Sequence, residues 1–251
     1  MSLGSRQQIQ VLHVDDEPDV ADLTATFLER ESDRFVVETA TSADEGLEMI
    51  NDCPPDCVVS DYNMPRMDGL EFLQVVRETN PDLPFILFTG KGSEEVASDA
   101  IAAGVTDYLQ KGTGTSQYTV LANRVRNAVE KQQAQRNLAN RQKRLNLFFE
   151  QSPLGVIEWD EDFTIVRANE SATEILGYPK NDLDGQSWEM FVPDAERDDV
   201  ETVGSELLRN EGGYYNVNEN VRKDGERITC EWHNRIVTDD AGEVVSIFSQ
   251  F

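Results

Sequence analysis

The sequence predicts an α/β fold with a five-stranded, doubly wound parallel sheet, followed by a long helix and an α+β half with an antiparallel sheet. Three patterns predict this order. Short apolar runs alternate with amphipathic stretches from residue 9 to about residue 111. A polar stretch without proline or glycine then extends from about residue 115 to residue 150. Beyond it, longer runs of alternating polarity are separated by hairpin turns.

Five apolar runs predict the strands of the parallel sheet. They cover residues 9–14, 35–39, 57–60, 85–89 and 106–109. In the segments between them, apolar residues fall on one helical face, as Val20, Leu23 and Phe27 do. Pro18 fits the first turn of the first helix, and Gly104 follows the fourth helix as a C-cap residue would. The order is therefore strand then helix, five times over.

The long polar stretch carries a charge opposite to that of the rest of the chain. Residues 117–147 include seven basic residues and one acid, so this segment has a net charge of +6 and the remainder has −32. Leu121, Ala128, Leu138 and Leu145 recur there at spacings of seven to ten. Two interpretations stay open: a solvated helix, or a coupling helix that self-associates or lies on the acidic domains.

The second half is predicted to form an antiparallel sheet with helices on one side. Two short strand-like runs, 155–159 and 164–168, precede several short helices. Three longer strands follow, near residues 214–221, 226–236 and 244–251, joined at turns that contain Gly225 and Gly242. A chain of 251 residues is long enough for two such domains, each with a core of its own.

The composition limits the classes of partner. With 48 acidic and 22 basic residues the formal charge is −26, and so negative a surface repels nucleic acid and anionic lipid. Pervasive Asp and Glu with scarce Lys resemble proteins of salt-loving archaea. The three cysteines have neither the number nor the spacing of a disulfide framework or a zinc site. No stretch approaches the roughly 18 apolar residues of a membrane span, so we expect a cytoplasmic protein without membrane contact.

Polar residues stand where the predicted parallel strands end. Asp15 and Asp16 follow the first strand, Asp61 follows the third, Thr89 closes the fourth and Lys111 follows the fifth. These ends meet at one edge of an open parallel sheet, where such folds bind ligands. Carboxylates gathered there repel one another unless a cation joins them, and oxygen ligands without His or Cys favour Mg²⁺. Asp61 is then a competent nucleophile toward phosphorus.

Each of these residues alone has an ordinary explanation. Paired aspartates also occur at 198–199 and 239–240, and in a chain this acidic a lone pair is usually solvated surface. A single Thr or Lys at the end of a strand indicates nothing. Only the joint arrangement, with five residues at matching ends of the right strands, predicts a site.

Four segments of the first half resemble the response-regulator receiver domain: VLHVDDEPDV, VVSDYNMPRMDG, LFTGKG and VTDYLQKG. The resemblance covers about residues 7–130 and implies a flavodoxin-like fold. It also implies a role for each matching residue: Asp61 as phosphoacceptor, Asp15 and Asp16 as the acidic pocket for Mg²⁺ beside Asp61, Asn63 as a backbone-carbonyl ligand of that ion, Thr89 as switch hydroxyl, Tyr108 as switch aromatic, and Lys111 as the phosphoryl-contacting lysine. Gly112 departs from the family, which usually has proline there, and this loosens the loop that aims Lys111.

The second half resembles a PAS sensor domain. The matching segments are LFFEQSPLGVIEWDEDFTIVRANESATEILGY, WEMFVPD, KDGERITCEWHNRIV and GEVVSIFS. We therefore divide the chain into a receiver domain at 5–116, a linker helix at 117–144 that begins on the receiver, and a PAS domain at 145–251 whose last strand could be cut short. No signature of a PAS ligand is found, so the ligand is unknown or none. Aromatic residues of this half are interpreted as core: Trp159, Phe163, Phe191 and Trp232.

These resemblances imply two-component phosphorelay signal transduction. The receiver would accept a phosphoryl group from a histidine kinase or phosphotransfer protein and couple it through the helix to the PAS domain. The chain would not be an enzyme beyond Mg²⁺-assisted phosphorylation and dephosphorylation of its own aspartate, although its parent protein could be a histidine kinase. The alternatives are the N-terminal input fragment of a larger sensor histidine kinase, and an adaptor or scaffold whose receiver only docks partners. A homodimer through the linker helix or the PAS domain stays open.

The sequence lacks the motifs that two other enzyme classes require. A histidine kinase needs a phosphorylatable histidine on a helix, whereas His13 and His233 both lie in strand patterns. A dehydrogenase would have G-x-G-x-x-G after its first strand, where DDEP stands instead.

Overall fold

The computed structural model describes residues 8–90, 94–112 and 114–251. Residues 5–7 of the predicted receiver domain and Lys91 and Gly92 of its LFTGKG segment lie outside the described residues. The chain divides into two compact units, with the boundary after Ala139.

The first unit is built on a parallel sheet of five strands in the order β2-β1-β3-β4-β5. The strands are β1 Ile9–Val14, β2 Phe35–Ala40, β3 Cys57–Ser60, β4 Phe85–Thr89 and β5 Asp107–Gln110. β3 and β4 are buried at every position, which is why they read in the sequence as continuous apolar runs. The predicted strands lie within one residue of these bounds.

Five helices accompany the sheet: α1 Pro18–Glu31, α2 Ala43–Asp52, α3 Gly69–Thr79, α4 Glu94–Ala102 and α5 Ser116–Glu150. Local chemistry sets where several of them begin. Pro18 occupies the first turn of α1, and Ser42 caps α2 by accepting from the amide of Glu45. α3 begins with a capping box, in which Asp68 accepts from the amide of Glu71 and the Glu71 carboxylate accepts from the amide of Asp68.

Helices cover both faces of this sheet, so it has two cores. One core packs Leu12, Val14 and Leu87 against Phe72 and Leu73 of α3. The other packs Ile9, Val11 and Phe88 against Leu28 of α1 and Leu121 of α5. The doubly wound arrangement predicted from the alternating pattern is confirmed.

Helix α5 is continuous for 35 residues. Its first turns belong to the second of these cores, where Leu121, Val125 and Val129 are fully buried. Farther along, Leu138 and Leu145 are exposed. The buried contacts of α5 in the first unit therefore come from its N-terminal half.

The second unit contains an antiparallel sheet in the order β7-β6-β10-β9-β8. The strands are β6 Val156–Trp159, β7 Ile165–Ala168, β8 Tyr215–Val221, β9 Arg227–Thr238 and β10 Val244–Gln250. Three α-helices lie between β7 and β8: α6 Glu170–Leu176, α7 Lys180–Leu183 and α8 Arg197–Leu208. The predicted antiparallel sheet with hairpins after β8 and β9 is confirmed.

One asparagine organises the start of this unit. Asn169 caps α6 by accepting from the amide of Ala172, and the same oxygen accepts from the amide of Val156. Its amide group donates to the carbonyls of Phe149 and Leu154. Asn169 is fully buried, so its four hydrogen bonds meet the requirement that a buried polar group be paired.

The core of the second unit contains the aromatic residues that the sequence predicts there. Trp159, Phe191 and Trp232 are buried in it, and Phe163 packs against its edge. Phe191 stacks on Trp232 with ring centroids 6.1 Å apart. These rings also line a cavity, which was not predicted from the sequence.

Candidate functional site

Strand pairing brings two carboxylates together at the edge of the parallel sheet. Val14 of β1 pairs with Ser60 of β3, so the residues that follow them, Asp15 and Asp61, leave the sheet side by side. The backbone amide of Asp61 donates to the carbonyl of Val14 at 2.8 Å, which fixes the two chain segments against each other. Asp15 is 1% exposed and Asp61 is 6% exposed. Two buried carboxylates so placed require a cation between them.

Lys111 supplies a positive charge to this pair. Its Nζ lies 2.7 Å from Asp15 Oδ2 and 2.7 Å from Asp61 Oδ1, and it lies 5.6 Å from the centre of the Phe88 ring. Partial burial acts to lower the pKa of Lys111, but the hydrogen bonds to both carboxylates outweigh it, and the net shift of the pKa is upward. The lysine therefore stays charged at neutral pH.

The loop after Asp61 holds its second carboxylate oxygen. The amide of Asn63 donates to Asp61 Oδ2 at 2.7 Å. The loop then closes against the start of α3, where the amide of Gly69 donates to the carbonyl of Tyr62. A Cβ atom on Gly69 would lie 2.2 Å from the carbonyl oxygen of Asp61, so only glycine fits at this point. Gly69 could not be identified from the sequence, because the contact joins segments that only the folded loop brings together.

The remaining predicted residues lie around this pair. Thr89 ends β4 and is fully buried, and its carbonyl accepts from the amide of Lys111 at 2.7 Å. Tyr108 lies in β5 opposite Leu87, and its hydroxyl is buried without a hydrogen-bond partner among the described residues. Asp16 is half-buried, and no contact places it against Asp61 in the described part of the chain.

Gly112 is held by a contact of its own. Its amide donates to Gln117 Oε1 in the first turn of α5 at 2.8 Å, a bond that proline could not make. The departure from the family pattern therefore replaces a stiff proline with a hydrogen bond that ties the Lys111 loop to the helix.

A buried histidine in β1 stands two residues before Asp15. His13 is fully buried, and neither ring nitrogen has a hydrogen-bond partner of good geometry among the described residues. Burial lowers the pKa of His13 to about 4, although the nearby Asp15 carboxylate acts in the opposite direction. His13 is therefore a neutral side chain at physiological pH, which agrees with its position in a strand.

The oxygens of this site suit a hard divalent cation. Oδ2 of Asp15 and Oδ1 of Asp61 already converge on one positive atom, and the ligands Mg²⁺ prefers are carboxylate and carbonyl oxygens. Within residues 8–90, 94–112 and 114–251, no cluster of three or more His, Cys, Asp or Glu is close enough to hold a metal ion. The donor set fits Mg²⁺ in its chemistry, with two protein carboxylates and the remaining ligands left to other oxygens.

Comparison with known proteins assigns both halves of the chain. The model of the response regulator receiver domain matches residues 11–123, and that of the PAS fold matches residues 143–251. An uncharacterized 14.6 kDa protein of Leptolyngbya boryana is 40% identical over 106 residues, which are 41% of this chain and 79% of that protein. The chain contains a response regulator receiver domain. Its receiver domain is followed by a PAS domain, as the sequence predicts.

Two longer relatives connect these domains with signalling. The nitrogen assimilation regulatory protein NtrX of Azorhizobium caulinodans is 34% identical over 116 residues, 45% of this chain and 25% of that protein. The sensor histidine kinase TmoS of Ectopseudomonas mendocina is 25% identical over 241 residues, 84% of this chain and 24% of that protein. The chain thus spans about a quarter of the length of these relatives. The predicted fold class and the assignment to two-component signalling are confirmed.

No helix within residues 8–90, 94–112 and 114–251 combines the length and the apolar character that crossing a bilayer requires.

Proposed function

We propose that the receiver domain accepts a phosphoryl group on Asp61, in a Mg²⁺-dependent reaction, from a histidine kinase or phosphotransfer protein. The observation that carries this proposal is the convergence of Asp15, Asp61 and Lys111 at the carboxyl edge of the sheet, with 2.7 Å between Lys111 Nζ and each carboxylate. A structural ion pair needs one carboxylate. A second buried carboxylate in contact with the same ammonium group indicates a functional site that binds further charged groups, rather than a structural ion pair.

Each residue has a role that follows from its contacts. Asp61 supplies the nucleophilic oxygen. Its Oδ1 accepts from Lys111 Nζ and its Oδ2 accepts from the amide of Asn63. Lys111 compensates the charge that the phosphoryl oxygens bring. Asp15, Asp61 and the backbone carbonyl of Asn63 would hold Mg²⁺, with Asp16 at the edge of the set. When bound, the ion would neutralise phosphate oxygens during transfer.

The switch would operate through Thr89 and Tyr108. Phosphorylation replaces one negative charge on Asp61 by nearly two and adds acceptor oxygens, which the Thr89 hydroxyl can approach. Tyr108 has a buried hydroxyl without a partner among the described residues, so a change in its surroundings can alter its position at low cost. Thr89 also accepts from the amide of Lys111, and the next residue binds Gln117 of α5, which connects the site with the linker helix.

Phosphoryl uptake tests this proposal directly. Incubation of the whole chain with acetyl phosphate and Mg²⁺ should add one phosphoryl group, measured by intact mass, and Asp61→Asn should abolish the addition. Lys111→Met should still accept the group but should lose the conformational response. Asp52→Asn is the matched control, because Asp52 is an exposed aspartate at the end of α2 and should be labelled normally.

The outcome that contradicts the proposal is labelling that survives Asp61→Asn or that proceeds equally well in EDTA. Either result would place the acceptor elsewhere or remove the cation from the reaction.

A further inference from the structure

The PAS domain contains a cavity of about 290 Å³ between the sheet and α8. Its floor is formed by β6, β8, β9 and β10, and α8 covers it with Val200, Gly204 and Leu207. The volume equals that of roughly ten water molecules in the liquid and lies near the lower end of small-molecule sites. A one-ring or two-ring ligand fits such a space.

The floor is polar where an antiparallel sheet normally buries apolar side chains. Asn218, Asn234 and Ser249 are each at least 94% buried, and together with Asn216 they face the cavity. Polar groups so placed are costly unless they have partners. Asn220, on the same face, has both ends of its side-chain amide paired, because it accepts from Trp232 Nε1 and donates to the backbone carbonyl of Phe191.

The three lining asparagines form a chain of hydrogen bonds with one direction. Asn234 Nδ2 donates to Asn216 Oδ1 at 3.1 Å, and Asn216 Nδ2 donates to Asn218 Oδ1 at 3.0 Å. Asn218 Nδ2 donates onward to the carbonyl of Glu219, and Asn234 Nδ2 also donates to that of Gly213. The chain therefore begins at Asn234 Oδ1, an acceptor for which the described residues provide no donor.

Donors are also available beside this acceptor. Asn216 Nδ2 uses one of its two hydrogens in the chain, so the other is free for a ligand. Ser249 Oγ accepts from Trp159 Nε1 at 2.9 Å, which leaves its own hydroxyl hydrogen to donate. The floor thus presents one acceptor and two donors to whatever occupies the cavity.

The walls favour a flat ligand. Trp159, Trp188 and Trp232 line the cavity with Phe163 and Phe191, and they are the three tryptophans of the chain. Phe163 has a left-handed backbone with φ 57°, and its ring lies where a Cβ atom on Gly204 would be only 3.0 Å away. A strained residue held against a glycine at the rim is typical of a clamp on a ligand.

The charges near the cavity argue against an anion. Its charged lining residues are Glu161, Asp162 and Glu201, all exposed, and the lining contains no Lys or Arg within the described chain. An anionic ligand would have no positive partner there. A quaternary cation would suit the aromatic walls but would leave Asn234 Oδ1 unpaired, and exposed carboxylates contribute little attraction.

We propose that this cavity binds an uncharged, planar, one-ring or two-ring ligand that carries an N–H donor next to a carbonyl acceptor. The N–H meets Asn234 Oδ1, and the carbonyl accepts from Asn216 Nδ2 or Ser249 Oγ. The rings lie among the tryptophans. The proposal does not depend on the chemistry at Asp61.

Calorimetric titration of the whole chain with four bicyclic probes tests it. The neutral lactam isoquinolin-1(2H)-one should bind at least about tenfold more tightly than naphthalene, which has the same shape but no hydrogen-bonding group. It should also bind more tightly than the anion 1-naphthoate and the cation N-methylquinolinium. Binding should change the intrinsic tryptophan fluorescence, because all three tryptophans of the chain line this cavity.

Two variants distinguish the contribution of hydrogen bonding from that of cavity volume. Asn234→Leu should weaken lactam binding about tenfold and leave naphthalene binding unchanged. Val200→Phe, which fills the cavity from α8, should abolish both while the melting curve shows a folded domain. The proposal is overturned if the lactam binds no better than naphthalene, if either charged probe binds most tightly, or if no probe binds the folded protein at millimolar concentration.

Discussion

Gly69→Ala tests the contact between Gly69 and the Asp61 loop. The new Cβ atom would lie 2.2 Å from the carbonyl oxygen of Asp61, 2.9 Å from Leu87 Cδ2 and 3.0 Å from Tyr62 Cα. Two of these three atoms belong to the backbone, so the loop itself must move. Overpacking of a well-packed site costs about 1 to 3 kcal/mol, whereas alanine gains at most about 1 kcal/mol in helix propensity. We expect the free energy of unfolding of the receiver domain to fall by about 2 kcal/mol.

Two measurements distinguish this displacement from a general loss of stability. Urea denaturation should show the lower free energy of unfolding, and phosphoryl uptake from acetyl phosphate should slow even where the variant is fully folded. Gly46→Ala is the matched control, because its Cβ atom would meet only the side chains of Phe72 and Val14, at 3.0 and 3.1 Å. If Gly69→Ala unfolds like the wild type and is labelled at the same rate, the contact of residue 69 with the Asp61 carbonyl does not constrain the loop.

Three further predictions concern stability. Burial raises the pKa of the Cys57 thiol, so above about pH 8.5 the unfolded chain loses a proton that the folded chain keeps. The free energy of unfolding should therefore fall with rising pH by up to about 1.4 kcal/mol per pH unit. Urea titrations at pH 8, 9 and 10 should show that Cys57→Ala lacks this slope. Gly155→Ala should destabilise the PAS domain by about 1 to 3 kcal/mol, because the new Cβ atom would lie 2.5 Å from the Phe251 ring. Since that ring packs on Trp232, the tryptophan fluorescence should also change. An unchanged melting temperature would contradict this prediction. The melting temperature should be higher in 1 M KCl than in 0.1 M KCl. The reason is that the net charge of −26 destabilises the fold by self-repulsion, and the Debye length shrinks from about 10 Å to about 3 Å. Equal melting temperatures would contradict the interpretation of a salt-adapted surface.

Much of the receiver fold follows from its sequence because the central strands β3 and β4 are buried on both faces. Such strands read as short apolar runs, and β3 and β4 begin and end where those runs do. The rule that carboxyl ends of parallel strands meet at one edge then brings Asp15, Asp61 and Lys111 together, and the structure places them in contact. The contact of Gly69 with the Asp61 carbonyl lay beyond this reasoning, since it depends on the path of a loop.

The cavity of the PAS domain escaped prediction for a different reason. Alternation in β8 predicts which residues share a face but not which face is buried. By polarity alone Tyr215 and Val217 would point inward, yet they are 56% and 52% exposed, and Asn216 and Asn218 point to the interior. An inverted strand of this kind indicates that the interior requires hydrogen bonds, which the sequence could have suggested through its asparagines at every second position.

The first turns of α5 join the Lys111 loop to the receiver core. The loop that carries Lys111 is tied to this helix by the Gly112 amide, which donates to Gln117 Oε1, and the helix is then held by Leu121, Val125 and Val129 in the receiver core. A displacement of Lys111 would therefore pull on α5 through the hydrogen bond between Gly112 and Gln117. The three buried side chains hold the helix in place against this movement. Because a packed core shifts between discrete arrangements rather than bending, the helix would respond as a rigid element. In the coupling proposed above, Gly112 would contribute the donor of this hydrogen bond, which the family's proline would remove.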